Sequence, residues 1–320
     1  MNSLTKNKQS ESTIHKMVKK MFPFDELKAY SELTEGYFNV AYEVILKSGK
    51  VVVLKVAPPK GVPVMTCEKN IMFIEVEAMK MVAEHTDIPI PEMLGYDASC
   101  TICPSPYFFM EKLEGRSLNS IKESLADDTI HQIYLKTGRM IKKINDISCS
   151  CFGYPGLPEY QGRIWYPVFC KMMEGVVSDA RRANVDLKIS LEEMWEYLKR
   201  DESAFNEVTE PRLVHWDCWD GNIFVENGNI TGIIDWERSI WADPLMEVGF
   251  RTYADNTWFQ KGYGLENLSR NQKCRALWYD IYLMLLASLE CEYRQYETMD
   301  TYNWATEILG KQFEQLKMPE

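Results

Sequence analysis

The stretch from Leu213 to Pro244 gathers carboxylates, a carboxamide and a histidine at spacings that suit one kind of chemistry. It reads His215-x-Asp217-x-x-x-x-Asn222, then Asp235-Trp236-Glu237, then Asp243-Pro244. An Asp and an Asn five residues apart on a tight loop can offer a carboxylate to a nucleophile and an amide oxygen to a metal. A second carboxylate across a hairpin can hold the same metal. Phosphoryl transfer needs that set: the attacking hydroxyl must be oriented or relieved of its proton, while Mg²⁺, which prefers hard oxygen ligands, bridges the nucleotide phosphates. On this reading Asp217 is catalytic, Asn222 and Asp235 take the metal, and Glu237 and Asp243 support them. With only four histidines in the chain no histidine-based metal cluster can assemble, so His215 is assigned to bracing the loop. The competing reading of these residues is a plain hairpin in which Asp217 and Asn222 merely cap turns.

Such groups need rigid elements to aim them. The runs 222–225 and 230–234 are β-type and are joined by Glu226-Asn227-Gly228-Asn229, whose Asn-Gly pair marks a two-residue hairpin turn. Upstream, 37–46 and 51–56 read as antiparallel strands joined at Ser48-Gly49-Lys50. The extended pattern begins at Ser31, and Gly36 falls between its first two strands, where bare backbone can approach a phosphate. Lys55 interrupts an apolar strand. A buried ammonium is costly without an anion, yet strand alternation equally allows a solvated lysine, and the residues alone leave both open. A helix over 71–84 carries Ile71, Ile74, Ala78, Met81 and Val82 on one stripe, with Glu75 near it. Glu75, or Glu77 as the alternative, is placed to pair with Lys55. Ile88-Pro89-Ile90-Pro91 ends that helix, and 106–115 runs from an apolar strand into a polar break, the one boundary drawn in the chain. Beyond it helices are expected over 130–145, 191–205, 246–253, 275–296 and 304–316, besides a short one near the start with Ile14, Met17, Val18 and Met21.

Composition narrows the partners. A chain of 320 residues, 46% of them hydrophobic, fills large cores. It holds no apolar run of about eighteen residues and no apolar segment behind its N-terminal lysines, so neither a membrane nor export is expected and the cytoplasm is. Nine scattered cysteines read as free thiols, and Cys100-x-x-Cys103 and Cys149-x-Cys151 lack the further ligands a zinc site requires. The formal charge of −11, with no basic face, argues against nucleic acid and favours a cationic ligand. Asp220, Glu290, Glu292 and Glu297 are the acids nominated to bind it.

In motif order the chain resembles the aminoglycoside phosphotransferase family, the small-molecule branch of the protein-kinase-like fold. The resemblance rests on His215-x-Asp217-x-x-x-x-Asn222, Ile233-Ile234-Asp235-Trp236-Glu237 and Asp243-Pro244. It implies an α+β, two-lobed architecture. Residues 1–113 would form a nucleotide-binding lobe, an antiparallel sheet with one main helix, ending in a hinge. Residues 114–320 would form a larger, mostly helical lobe with the catalytic and acceptor sites. It implies that Gly36 covers and Lys55 touches the phosphates of ATP or GTP. The base would then bond the Glu111 carbonyl and the Leu113 amide, with Phe109 and Met110 near its ring. The family folds a late helix over the acceptor cleft, and the helix bearing Glu290 and Glu292 would be that one, with Glu297. Asp220 stands where many members carry proline, and Asn145 where many carry histidine, a departure expected to alter the acceptor site alone. The implied activity is phosphorylation of a hydroxyl on a small cationic molecule, an aminoglycoside or another antibiotic. A metabolite kinase for choline, a hydroxy-amino acid or a sugar, and a non-catalytic pseudokinase, are the competing readings. No Ala-Pro-Glu signature supports a protein kinase.

Overall fold

Alternating β-branched and aromatic residues build the first layer. In the computed structural model, which describes residues 4–34, 36 and 38–317, α1 (Glu11–Met21) precedes β1 (Leu27–Leu33), β2 (Val40–Leu46) and β3 (Val51–Val56). Then come α2 (Ile71–His85), β4 (Met93–Asp97) and β5 (Tyr107–Glu111). The strands form one antiparallel sheet in the order β1-β2-β3-β5-β4.

Pleat parity sorts side chains between its two faces. Val52, Leu54, Val56 and Phe109 are buried with Ile14, Met17 and Val18 of α1. Val53, Phe108 and Met110 are buried on the other face with Met72, Val76 and Met79 of α2. Lys55 pairs in register with Phe108, and Leu54 with Phe109. Phe109 therefore points away from Lys55, edge-on to Phe22 with ring centroids 5.2 Å apart. This corrects the placement of Phe109 beside a nucleotide base: Phe108 and Met110 are the β5 side chains on Lys55's side of the sheet.

The second lobe continues with β6 (Arg116–Ser117), α3 (Leu118–Ile121), α4 (Asp127–Ile144), α5 (Trp165–Ala183), α6 (Leu191–Arg200) and α7 (Glu202–Phe205). It then runs through β7 (Arg212–Val214), β8 (Ile223–Glu226), β9 (Asn229–Ile233), β10 (Ile240–Ala242), α8 (Thr257–Tyr263), α9 (Arg270–Arg294) and α10 (Asp300–Lys317). Asn227 and Gly228 both take positive φ, 49° and 75°, as a hairpin turn that follows the strand twist requires.

Among the stretches that differ from the sequence reading, three stand out. Helix α5, where no element was drawn, buries Trp165, Val168, Phe169, Met172, Met173 and Val176 at helical spacing. The 191–205 helix breaks at Asp201, whose carboxylate accepts from Arg200 and, at 2.9 Å, from the Trp278 ring nitrogen. The expected 246–253 helix is two short 3₁₀ turns, Pro244–Met246 and Val248–Phe250, separated by extended Glu247. Tertiary demand on the Glu247 carboxylate overrides local propensity there.

The lobes are also joined away from the β5–β6 connection. The loop between β3 and α2 crosses to the second lobe, where the Thr66 amide and hydroxyl donate to Asp179 of α5 at 2.6 and 2.8 Å. Arg294 of α9 donates to Glu68 at 2.8 Å. Among the described residues no helix is long and apolar enough to cross a membrane.

Candidate active site

The chain leaves β7 into a sharp turn in which Trp216 takes φ 65°, a left-handed conformation unfavourable for a tryptophan. Buried Glu247 holds it there. Its carboxylate accepts the backbone amides of His215 and Trp216 at 2.9 and 3.1 Å and the Asn145 side-chain amide at 3.0 Å. Asn145 also donates to the Leu213 carbonyl at 2.7 Å. Asn145 thus braces the loop that presents Asp217, which corrects the expectation that its substitution touches the acceptor site alone. Burial pushes the Glu247 carboxyl up to about 6 against these donors.

His215 ties the two halves of the motif together. Its Nδ1 accepts the Asp217 amide at 3.2 Å, so the ring proton sits on Nε2 and is donated to the Ile234 carbonyl at 3.0 Å. Burial lowers this imidazole to about 4 and so disfavours its cationic form, while both ring nitrogens are already engaged in bracing the loop.

Asp217 is half-buried at the end of this bracing. Asn222 donates its side-chain amide to the Asp217 carbonyl at 2.8 Å and approaches the carboxylate at 3.4 Å, which directs its own Oδ1 to other duties. Burial pushes Asp217 up to about 6. The Arg238 charge opposes that shift and the Asp235 charge adds to it.

Across the cleft, buried Lys55 donates to Glu75 at 2.6 Å and to Asp235 at 2.7 Å. Glu77 is instead paired with Lys80 on the surface, so Glu75 is the partner of Lys55. Burial alone would lower the lysine, but Asp235 and then Glu75 outweigh it and keep it charged. Asp235 adopts φ 66° and lies below the usual carboxylate range, since Lys55 outweighs its burial. Burial dominates at Glu75, which is raised, and at Glu237, which is raised well above its ordinary value beside Asp235. Glu75, Asp235 and Glu237 offer ligand oxygens that all lie within 4.8 Å of one another. Hard carboxylate oxygens crowded in this way are a donor set that fits Mg²⁺ better than zinc.

The segment after β5 seats on the β8–β9 hairpin. A Cβ on Gly232 would lie 2.4 Å from the Leu113 side chain, and Thr231 donates to the Glu114 carbonyl at 2.7 Å. Gly36 lies in the loop between β1 and β2. Asp243 accepts from Arg275 at 2.7 Å and from Tyr279 at 2.8 Å and caps the turn at Leu245, which fastens α9 to the motif. Two of the four acids nominated for a cationic ligand already have cations. Asp220 accepts from Lys122 at 2.7 Å and from Tyr134, and half-buried Glu290 accepts from Arg238 at 2.9 Å and lies 3.3 Å from Arg294. Glu292 and Glu297 are exposed, and Glu297 lies beyond the end of α9. Sequence reasoning missed Arg238 and Glu247. Arg238 adjoins Glu237 and was open to notice, whereas nothing in the order of residues signals Glu247.

A sheet lobe and a helical lobe holding a Lys–Glu–Asp cluster between them define a protein-kinase-like fold. A model of the phosphotransferase enzyme family matches residues 29–266, and the chain belongs to that family. A thermostable mutant of aminoglycoside phosphotransferase APH(4)-Ia, in ternary complex with AMP-PNP and hygromycin B, shares the fold with TM-score 0.66 at 18% identity, over 95% of this chain and 98% of that one. The streptomycin–ATP complex of APH(2″)-IIa gives TM-score 0.61 at 14% identity, covering 98% of each chain. A Thermobifida fusca protein provisionally named fructosamine-3-kinase gives 0.66 at 13% identity, over 95% of this chain and all of that one. By sequence, a subtelomeric hrmA-associated cluster protein of Aspergillus fumigatus is 27% identical over 124 residues, 38% of this chain and 24% of the relative. The match thus spans about a quarter of that curated relative's length.

Proposed function

We propose that this protein transfers the terminal phosphoryl group of ATP or GTP to a hydroxyl of a small molecule. The observation that carries the reading is the Lys55 bridge between Glu75 and Asp235, set opposite an Asp217 that His215 links to the residue preceding Asp235. The base would seat against the hinge at Glu111 and Leu113, with Phe108 and Met110 beneath it. Lys55 would bind phosphate oxygens from its buried position, where a charge-assisted bond is strengthened. Asp217 would accept or orient the proton of the attacking hydroxyl. Asn222, Asp235 and Glu237 would hold Mg²⁺, which supplies positive charge to the phosphates when bound.

The acceptor we favour is a cationic amine, an aminoglycoside or another antibiotic. What supports this is the −11 charge with exposed Glu292 and Glu297. Neighbours crystallised with hygromycin B and streptomycin are consistent with it. The fructosamine-3-kinase neighbour favours a second reading, a sugar-amine metabolite kinase. A screen of ATP and GTP consumption across aminoglycosides, choline, hydroxy-amino acids and sugar amines tests both. Consumption that no hydroxyl-bearing acceptor stimulates would sink the proposal.

A further inference from the structure

The segment ahead of α1 reaches the nucleotide cleft. Lys6 donates its ammonium to the Asn39 carbonyl at 2.7 Å, and the Asn39 side chain donates to Glu237 at 2.6 Å. A Cβ placed on Gly36 would lie 3.8 Å from Lys6 Nζ. The ammonium therefore sits between the glycine of the β1–β2 loop and the edge of the carboxylate cluster that Lys55 enters from the sheet.

Its position is fixed by the backbone around it. Asn7 donates to the Ala57 carbonyl at 2.9 Å and to the Ser105 hydroxyl at 3.0 Å, and the Gln9 amide donates to the Tyr42 hydroxyl at 2.8 Å. Thr5 is buried, and Ser10 caps α1. Ordering a lysine costs side-chain entropy, and drawing it partly out of water costs more. Burial accordingly lowers Lys6, while Glu32, Glu237 and Asp235 act to keep it charged. An ammonium has three donors, and the Asn39 carbonyl uses one.

We propose that Lys6 is a second phosphate-binding cation of the nucleotide site, reaching the terminal phosphates from the glycine-loop side while Lys55 reaches them from the sheet. The inference rests on the reading of the cleft as a nucleoside-triphosphate site. Two cations on opposite sides would offset part of the triphosphate's charge and hold the glycine loop down on it. This places part of the donor site in a segment that lies outside the lobe's sheet and helix.

Calorimetric titration of the full chain with Mg-ATP, Mg-GTP, adenosine and guanosine tests it. Lys6→Met should weaken the preferred triphosphate about tenfold or more, as expected for loss of a charge-assisted bond, and leave the matching nucleoside unchanged. Lys6→Arg should recover most of the loss. Unchanged triphosphate affinity in a folded Lys6→Met overturns the proposal. Equal losses for triphosphate and nucleoside also overturn it, since they make Lys6 a structural tie only. A second measurement needs no variant: acetylation of Lys6 in the wild-type chain, read by mass spectrometry, should be blocked by ATP or GTP and not by the nucleoside. Absence of that protection overturns the proposal. If the wild-type chain binds neither triphosphate, the functional reading itself falls and takes this inference with it. Tight wild-type binding with an unaffected Lys6→Met removes only the role of Lys6.

Discussion

Asp217 combines burial with a charge that its proposed chemistry requires, and the conflict has measurable consequences. With its carboxyl pushed up to about 6, kcat/KM should fall on the acid side with an apparent pKa near that value, as a pH series of initial rates would show. Asp217→Asn should lower turnover about a hundredfold or more while nucleotide affinity stays near normal. Near-normal turnover in the variant removes Asp217 from the mechanism. The same residue sets a stability prediction. Its folded value is raised, so its contribution is fully favourable below the unfolded carboxylate range and is lost as pH rises through about 6. Asp217→Asn should therefore raise Tm at pH near 8 and change it little near pH 4. A shift of equal size at both pH values would mean that the charge is not the cause.

At the scale of elements, the loop that presents Asp217 depends on contacts from two others: Asn145 caps the end of α4 and the turn after β10 supplies Glu247. Their carboxylate and amide hold a strained backbone, and Tyr263 of α8 in turn donates to Asn145 at 2.9 Å. Asn145→Ala leaves the Leu213 carbonyl and one Glu247 oxygen short of a donor in the interior. That should destabilise the fold by about 1–3 kcal/mol in denaturant unfolding. We also expect kcat to drop with little change in the Kd for nucleotide, because the loop and not the donor site is disturbed. A loss of nucleotide affinity that matches the loss of kcat would assign Asn145 to the cleft as a whole.

For the whole molecule, the question is what a charge of −11 does at a distance. Asp220 and Glu290 carry internal cationic partners and contribute little net field to a ligand, which leaves Glu292 and Glu297 as the exposed acids near the end of α9. If the acceptor is an amine, its KM should rise as ionic strength goes from about 0.01 to 0.3 M, because screening shortens the reach of exposed charge. The double change Glu292→Gln with Glu297→Gln should flatten that rise without altering the KM for nucleotide. A flat profile in the wild type removes the electrostatic case for a cationic acceptor and leaves the phosphotransferase chemistry as it stands.

The candidate site residues could be nominated from the sequence because phosphoryl transfer would demand specific types at fixed local spacings: Asp217 to Asn222 spans one loop, and Asn227-Gly228 can scarcely be anything but a hairpin turn. The sheet strands and most helices follow from local hydrophobic period in the same way. Tertiary structure decided what depends on register or on distant partners. Which face of β5 meets Lys55 turns on a one-residue parity, so Phe108 and Phe109 exchange roles with no change in composition. Whether an acid is free or spoken for depends on a cation far along the chain, as Arg294 is for Glu68 and Lys122 for Asp220. The extended backbone at Glu247 arises because a buried carboxylate serving two loop amides stabilises more than one helical turn does. Pairings of that kind join residues tens or hundreds of positions apart, and only the folded chain brings them within reach.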